Sequence, residues 1–111
     1  MFKDDDVRIR HMIDASYDAI SFAKDKQRSD LDKDRMLVLS LVKAIEIIGE
    51  AANKISNDFK AKYPNIRWHS IVGMRNRLIH AYFDVNHDTI WDTVKNEIPK
   101  LVVELEKIVK G

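Results

Sequence analysis

Between residues 36 and 52 the apolar side chains recur on two adjacent helical stripes, and this pattern limits the folds open to the chain. Met36, Leu39, Val42, Ile47 and Ala51, with Lys43 and Glu50 among them, trace one stripe; Leu37, Leu41, Ile45, Ile48 and Ala52 trace the other. A helix apolar over so much of its circumference needs partners on two sides. Residues 5–25 supply one, with Ile9, Met12, Ile13, Tyr17, Ile20 and Ala23 on a single face and Asp4, Asp5 and Asp6 at its start, where a helix N-terminus favours negative charge. Ser29 and Asp32, in the polar break that follows, resemble a capping box for the second helix. Ser56-Asn57-Asp58 caps a short segment that stops before Pro64.

A third helix is expected from about Trp68 to Ile79 or His80, and a fourth from Asp88, its expected N-cap, through Ile90, Val94, Ile98, Leu101 and Leu105. Pro99 lies inside that last pattern and should kink or split it. Four main helices, one short extra helix and short connections predict an all-α antiparallel four-helix bundle, with no convincing strand.

Composition removes several function classes. The 111 residues form one domain of ordinary size, and an apolar content of 45% with 33% charged residues fits a packed core. No cysteine is present, which excludes disulfides and thiolate metal sites. No apolar run approaches a membrane span, and the acidic N-terminus is unlike a signal peptide, so the expected location is cytoplasmic with no membrane partner. Phosphate-binding glycine loops and His-Glu-x-x-His spacing are absent. Asp30, Asp32 and Asp34 alternate without the glycine and closing glutamate of a calcium loop, so no metal is expected.

Charge is uneven in one place. Residues 59–83 contain Lys60, Lys62, Arg67, Arg75 and Arg77 but no Asp or Glu, whereas the whole chain carries only +1. Within that window Arg75-Asn76-Arg77-Leu78-Ile79-His80-Ala81-Tyr82 packs two guanidiniums, a carboxamide, an imidazole and a phenol into about two helical turns. Such a cationic segment with a histidine fits a site that handles phosphate. On an ideal helix Asn76 and Arg77 lie within about 60° of His80, while Arg75 is about 140° away. For Arg75 and His80 to converge, the helix must end or distort near His80, or two copies must face each other. From physics alone a second reading stands beside this one: the arginines are solvated or ion-paired, and His80 ends a helix where a cation is favourable. His69 reads as a first-turn helix residue, His87 as turn chemistry, and His11 has no visible partner. Trp68 and Trp91 read as core or interface residues.

Arg75-x4-His80-x-Tyr82, with a polar residue directly after the arginine, resembles the signature of HEPN-domain ribonucleases and, more narrowly, the HepT-like toxin family. The likeness extends to Ile48-Gly49-Glu50-Ala51-Ala52, Trp68, Gly73-Met74-Arg75-Asn76, Tyr82-Phe83-Asp84-Val85, Trp91 and Pro99. It implies a single HEPN-like helical domain over residues 1–111 that forms a homodimer, with Arg75 and His80 of both copies lining a cleft. It also implies a metal-independent endoribonuclease with no cofactor, acting as the toxin of a type II or type VII toxin–antitoxin pair. Asn76 and Arg77 would support substrate binding. The partner would be a minimal nucleotidyltransferase antitoxin that adenylylates Tyr82. The competing expectation is a non-catalytic HEPN module that binds a nucleotide or a protein partner.

Overall fold

The chain is all-helical in a computed structural model that describes residues 3–78 and 85–110, and no strand occurs among them. Helix α1 (Lys3–Ala23) and α2 (Arg35–Lys54) lie against each other along their lengths. Ile9, Met12, Ala15, Ala19 and Ala23 of α1 are buried at helical spacing, and Ser16 is buried with them because its hydroxyl donates to the Met12 carbonyl at 2.7 Å. From α2 the core takes Leu37, Leu41, Ile45, Ile48 and Ala52, together with Val38, Val42 and Ala51. The neighbouring stripe is only partly covered: Met36 is 74% exposed and Leu39 52%.

The connection between α1 and α2 differs from expectation. Ser29 and Asp32 do not cap α2. The side chain of Asp34 does, accepting the Leu37 N–H at 3.1 Å, while residues Arg28–Asp32 form a 3-10 turn stapled by the Gln27 N–H on Asp30. Asp32 is engaged instead by Arg28 and by His87. Helix α3 (Asn57–Lys62) begins at Ser56, whose hydroxyl accepts the Phe59 N–H as expected. The same hydroxyl and the Ser56 N–H both donate to the buried carboxylate of Asp5, at 2.7 and 2.8 Å. One of the three N-terminal aspartates is therefore a long-range tie between α1 and the α2–α3 corner.

The expected third helix is two short ones, α4 (Trp68–Val72) and α5 (Met74–Leu78), separated at Gly73. The ladder still crosses the break, since the Gly73 N–H reaches the His69 carbonyl and the Arg77 N–H reaches that of Gly73. Where α2 meets α4, a Cβ on Gly49 would stand 3.4 Å from the Val72 carbonyl oxygen and 3.5 Å from that of Ile71. Those are ordinary contact distances, so the site has room for a methyl group and little more. Trp68 is buried, edge-on to Phe59, and its indole N–H donates to the Tyr63 carbonyl. Trp91 is half-buried, with the Lys95 ammonium 5.3 Å from its ring centre.

Beyond α5 the chain returns through Asn86, whose N–H donates to the Leu78 carbonyl at 2.7 Å. Helix α6 (His87–Asp92) is capped by Asn86, which accepts the Thr89 N–H; Asp88, the expected cap, is drawn onto Arg28 at 2.6 Å. A π turn (Thr93–Glu97) then leads into α7 (Ile98–Lys110). The disruption expected from Pro99 thus takes the form of a widened turn just before it, which accommodates a residue with no N–H to give. Helix α7 lies on α1 and completes the core with Ile98, Leu101 and Leu105. No helix among the described residues is long and apolar enough to cross a membrane.

Candidate active site

Helix α5 carries the arginines of the motif on its exposed side and anchors itself through buried Met74 and Leu78. Its two arginines diverge. Arg75 turns to α2 and forms an ion pair with Glu46, Nε to Oε1 at 3.1 Å. Arg77 turns to the other flank, where Nη1 donates to the carbonyl and hydroxyl of Ser70, both at 3.0 Å, and Nη2 reaches Glu97 of the π turn at 3.3 Å. Glu97 also accepts from the Thr93 hydroxyl.

The structure therefore regroups the expected face. Asn76 shares with Arg75, not with Arg77, a shallow cleft of about 190 Å³, lined further by Glu46, Gly49, Glu50 and Asn53. Contact with α2 draws Arg75 onto that side. On the Arg77 flank lies a larger cleft of about 500 Å³ between α4 and the π turn and α7, with Ile71, Met74 and Leu101 lining it and Arg67, Asn96 and Lys100 among its polar groups. His80 and Tyr82 fall in residues 79–84, outside the described residues; the described chain meets them at Leu78 and resumes at Val85.

The lopsided charge of residues 59–83 is moderated in space. Glu46 and Glu97 come from other elements to meet Arg75 and Arg77, and Glu104 of α7 accepts from Asn65. A charge count along the chain misses this, because the balancing carboxylates lie 29 and 20 positions from the arginines they meet. Glu46 is the functional candidate that sequence reasoning overlooked. Its signal was a single carboxylate interrupting the apolar run of α2, one turn before Gly49 and Glu50.

The remaining histidines serve elsewhere. His69 is exposed in the first turn of α4, and His11 is exposed on α1 beside Glu50 and Lys54. His87 places Nδ1 3.0 Å from Asp32, inside a cluster with Arg28 and Asp88. His87 first, and then Arg28, hold the Asp32 carboxyl below its ordinary range. Among the described residues no three His, Asp or Glu side chains gather as a metal site.

Comparison with known proteins adds to this geometry. The family described as Ribonuclease HepT-like matches residues 12–108, a span that includes every residue of the motif. A Thermococcus cleftensis protein named a probable ribonuclease HepT is 46% identical over 77 residues, 69% of this chain and 70% of its own. Two proteins provisionally named as RNases also match. One, from Methanocaldococcus jannaschii, is 39% identical over 95 residues, 86% of this chain and 87% of its own. The other, from Caldanaerobacter subterraneus subsp. tengcongensis, is 35% identical over 102 residues, 92% and 91%. No solved structure matches.

Proposed function

Because the chain belongs to the ribonuclease HepT-like family, we propose that it is a metal-independent endoribonuclease whose catalytic pair is Arg75 and His80. RNA contains its own nucleophile, the 2′-hydroxyl, so cleavage requires proton transfer and stabilisation of charge on the phosphorane. An imidazole with an ordinary pKa near 6.5 suits the first task at neutral pH. A guanidinium supplies the second through its planar fork of donors. The observation that carries the reading is the pairing of Arg75 with Asn76 at one cleft, five and four residues before His80 in the sequence, in a chain matched to this family along most of its length. Asn76 is assigned to the substrate from that cleft. Arg77, expected to support substrate binding, is engaged on the opposite flank by Ser70 and Glu97.

In this reading one HEPN-like four-helix domain, spanning residues 1–111, works as a homodimer, with the two motif copies meeting near the two-fold axis. Exposed Met36 and Leu39 on α2, the helix that also bears Glu46, support a partner on that face. The cellular role is the toxin of a type II or type VII toxin–antitoxin pair. A minimal nucleotidyltransferase antitoxin would silence it by placing AMP on Tyr82, adding negative charge and bulk where RNA phosphate should enter. A second reading, a non-catalytic HEPN module that binds a nucleotide or partner, draws on the ion pairs that already occupy Arg75 and Arg77.

The separating experiment incubates purified protein with total cellular RNA in excess EDTA. Endonucleolytic fragments that persist in EDTA support the ribonuclease; intact RNA, with or without added divalent metal, favours the binding module. Co-expression with the neighbouring nucleotidyltransferase, followed by intact-mass measurement, should add AMP to the wild type and not to Tyr82→Phe.

A further inference from the structure

The two arginines of α5 are held in different ways, and the difference separates their roles. Arg77 uses both terminal nitrogens internally, Nη1 on Ser70 and Nη2 on Glu97. Its guanidinium is a bracket that ties α5 to α4 and to the π turn. The ion pair of Arg75 closes through Nε. A guanidinium has distinct donor edges, and the edge formed by Nη1 and Nη2 is suited to two phosphate oxygens at once. An ion pair whose nearest approach is at Nε draws the group toward α2 and leaves the Nη edge for a ligand.

The two partners of this pair also differ in exposure and in the helix that carries them. Glu46 sits within the 20-residue helix α2, between Ile45 and Ile48, which are fully buried, and its side chain is 24% exposed. Arg75 stands on a five-residue helix after an interruption at Gly73, and its side chain is 49% exposed. The long arginine side chain has many rotamers, and an anchored carboxylate beside it narrows them before substrate arrives. A carboxylate acting as a stand-in for phosphate would be expected on the Nη edge and in an exposed, yielding position.

From this geometry we infer that Glu46 is a positioning residue that holds Arg75 by Nε and presents its Nη edge to the scissile phosphate, while Arg77 serves the scaffold. The inference deepens the ribonuclease reading and rests on it for its kinetic consequences. Misplacement of a reacting group by about 1 Å can cost as much as 10²-fold, so Glu46→Ala should lower kcat by about 10–10²-fold with KM for RNA little changed. Glu46→Gln keeps an acceptor oxygen near Nε and should retain more activity than Glu46→Ala.

The decisive comparison is a double-mutant cycle. In an Arg75→Ala background, Glu46→Ala should have no further effect, because there is no guanidinium left to place. Losses that multiply would overturn the inference, as would a rise in activity of Glu46→Ala, which would mark the carboxylate as a competitor of phosphate. A second readout does not depend on turnover. In arginine-selective NMR of the full-length protein, the Arg75 Nε–H resonance should be displaced from those of the exposed arginines in the wild type and move toward them in Glu46→Ala. Addition of a 2′-deoxy oligonucleotide, which lacks the nucleophile, should perturb the Nη signals and leave Nε–H in place. An Arg75 Nε–H indifferent to Glu46→Ala would overturn the positioning role even if RNA is cleaved. An Arg75 Nε–H that responds to Glu46→Ala in a protein that leaves RNA intact would uphold the positioning and sink the ribonuclease reading alone.

Discussion

Asp5→Ala should be among the most damaging single changes outside the apolar core. The carboxylate is buried and accepts two short hydrogen bonds from Ser56, one from the backbone and one from the hydroxyl that also caps α3. Hydrogen bonds to a charged group contribute about 1.5–3 kcal/mol each. Ser56 is exposed, so water can satisfy its freed donors, and the loss should sit at the lower limit, about 3 kcal/mol in all. Unfolding entropy of about 2.1 cal/mol/K per residue, over 111 residues, converts that loss to a fall in Tm of about 13 °C. Thermal denaturation followed by circular dichroism measures it. Asp4→Ala and Asp6→Ala remove exposed carboxylates whose helix-dipole contribution is at most about 1 kcal/mol, so they should shift Tm by only a few degrees. If Asp5→Ala unfolds no earlier than these two controls, the long-range tie contributes nothing and the reasoning is wrong.

Other outcomes follow from single contacts. The Tyr17 hydroxyl donates to Glu106 at 2.7 Å, and that bond raises its pKa above the ordinary 10.0. Its stabilising effect is complete below pH 10 and is lost as pH rises through the raised value, so Tyr17→Phe should flatten the alkaline fall in Tm. Asp32 is shifted the other way, by His87 first and Arg28 second, so its contribution is present above pH 3.8 and disappears as pH falls through the depressed folded value. Asp32→Asn should shrink the acid limb of a Tm–pH profile below that point; an unchanged limb would mean the cluster is not formed in solution. Gly49→Ala places its Cβ at ordinary contact distance and gains up to about 1 kcal/mol of helix propensity, so Tm should hold or rise. Gly49→Leu should instead push α4 from α2 and cost about 1–3 kcal/mol by the same measurement.

The helical architecture was legible because its signal is periodic and local. Alternation in α1, α2 and the final pattern identified Ile9, Met12, Leu41, Ile45, Ile48, Ile98 and Leu105, all buried as their spacing implied. The capping residues were less legible because several acids and amides competed for each helix start. Ser29 with Asp32 looks like a capping box in sequence and Asp88 like a cap, but both aspartates are drawn to Arg28, and Asp34 and Asn86 take the caps instead. Periodicity also treats α5 as part of an ideal helix. It therefore grouped Asn76 with Arg77, whereas ion pairs with carboxylates from α2 and the π turn pull the arginines to opposite flanks. Those partners are non-local, and no window along the chain contains both members. The Pro99 disruption was visible, but its form as a π turn depends on how α6 and α7 pack rather than on the proline alone.

The central claim is that Arg75 and His80 together cleave RNA. Its most direct test compares initial cleavage rates of the wild type, Arg75→Ala and His80→Ala on one RNA substrate in EDTA, with circular dichroism confirming that all three fold alike. General acid–base catalysis and electrostatic stabilisation are each typically worth about 10²–10³-fold or more, so each variant should lose at least about 10²-fold. Either variant cleaving at the wild-type rate would contradict the account.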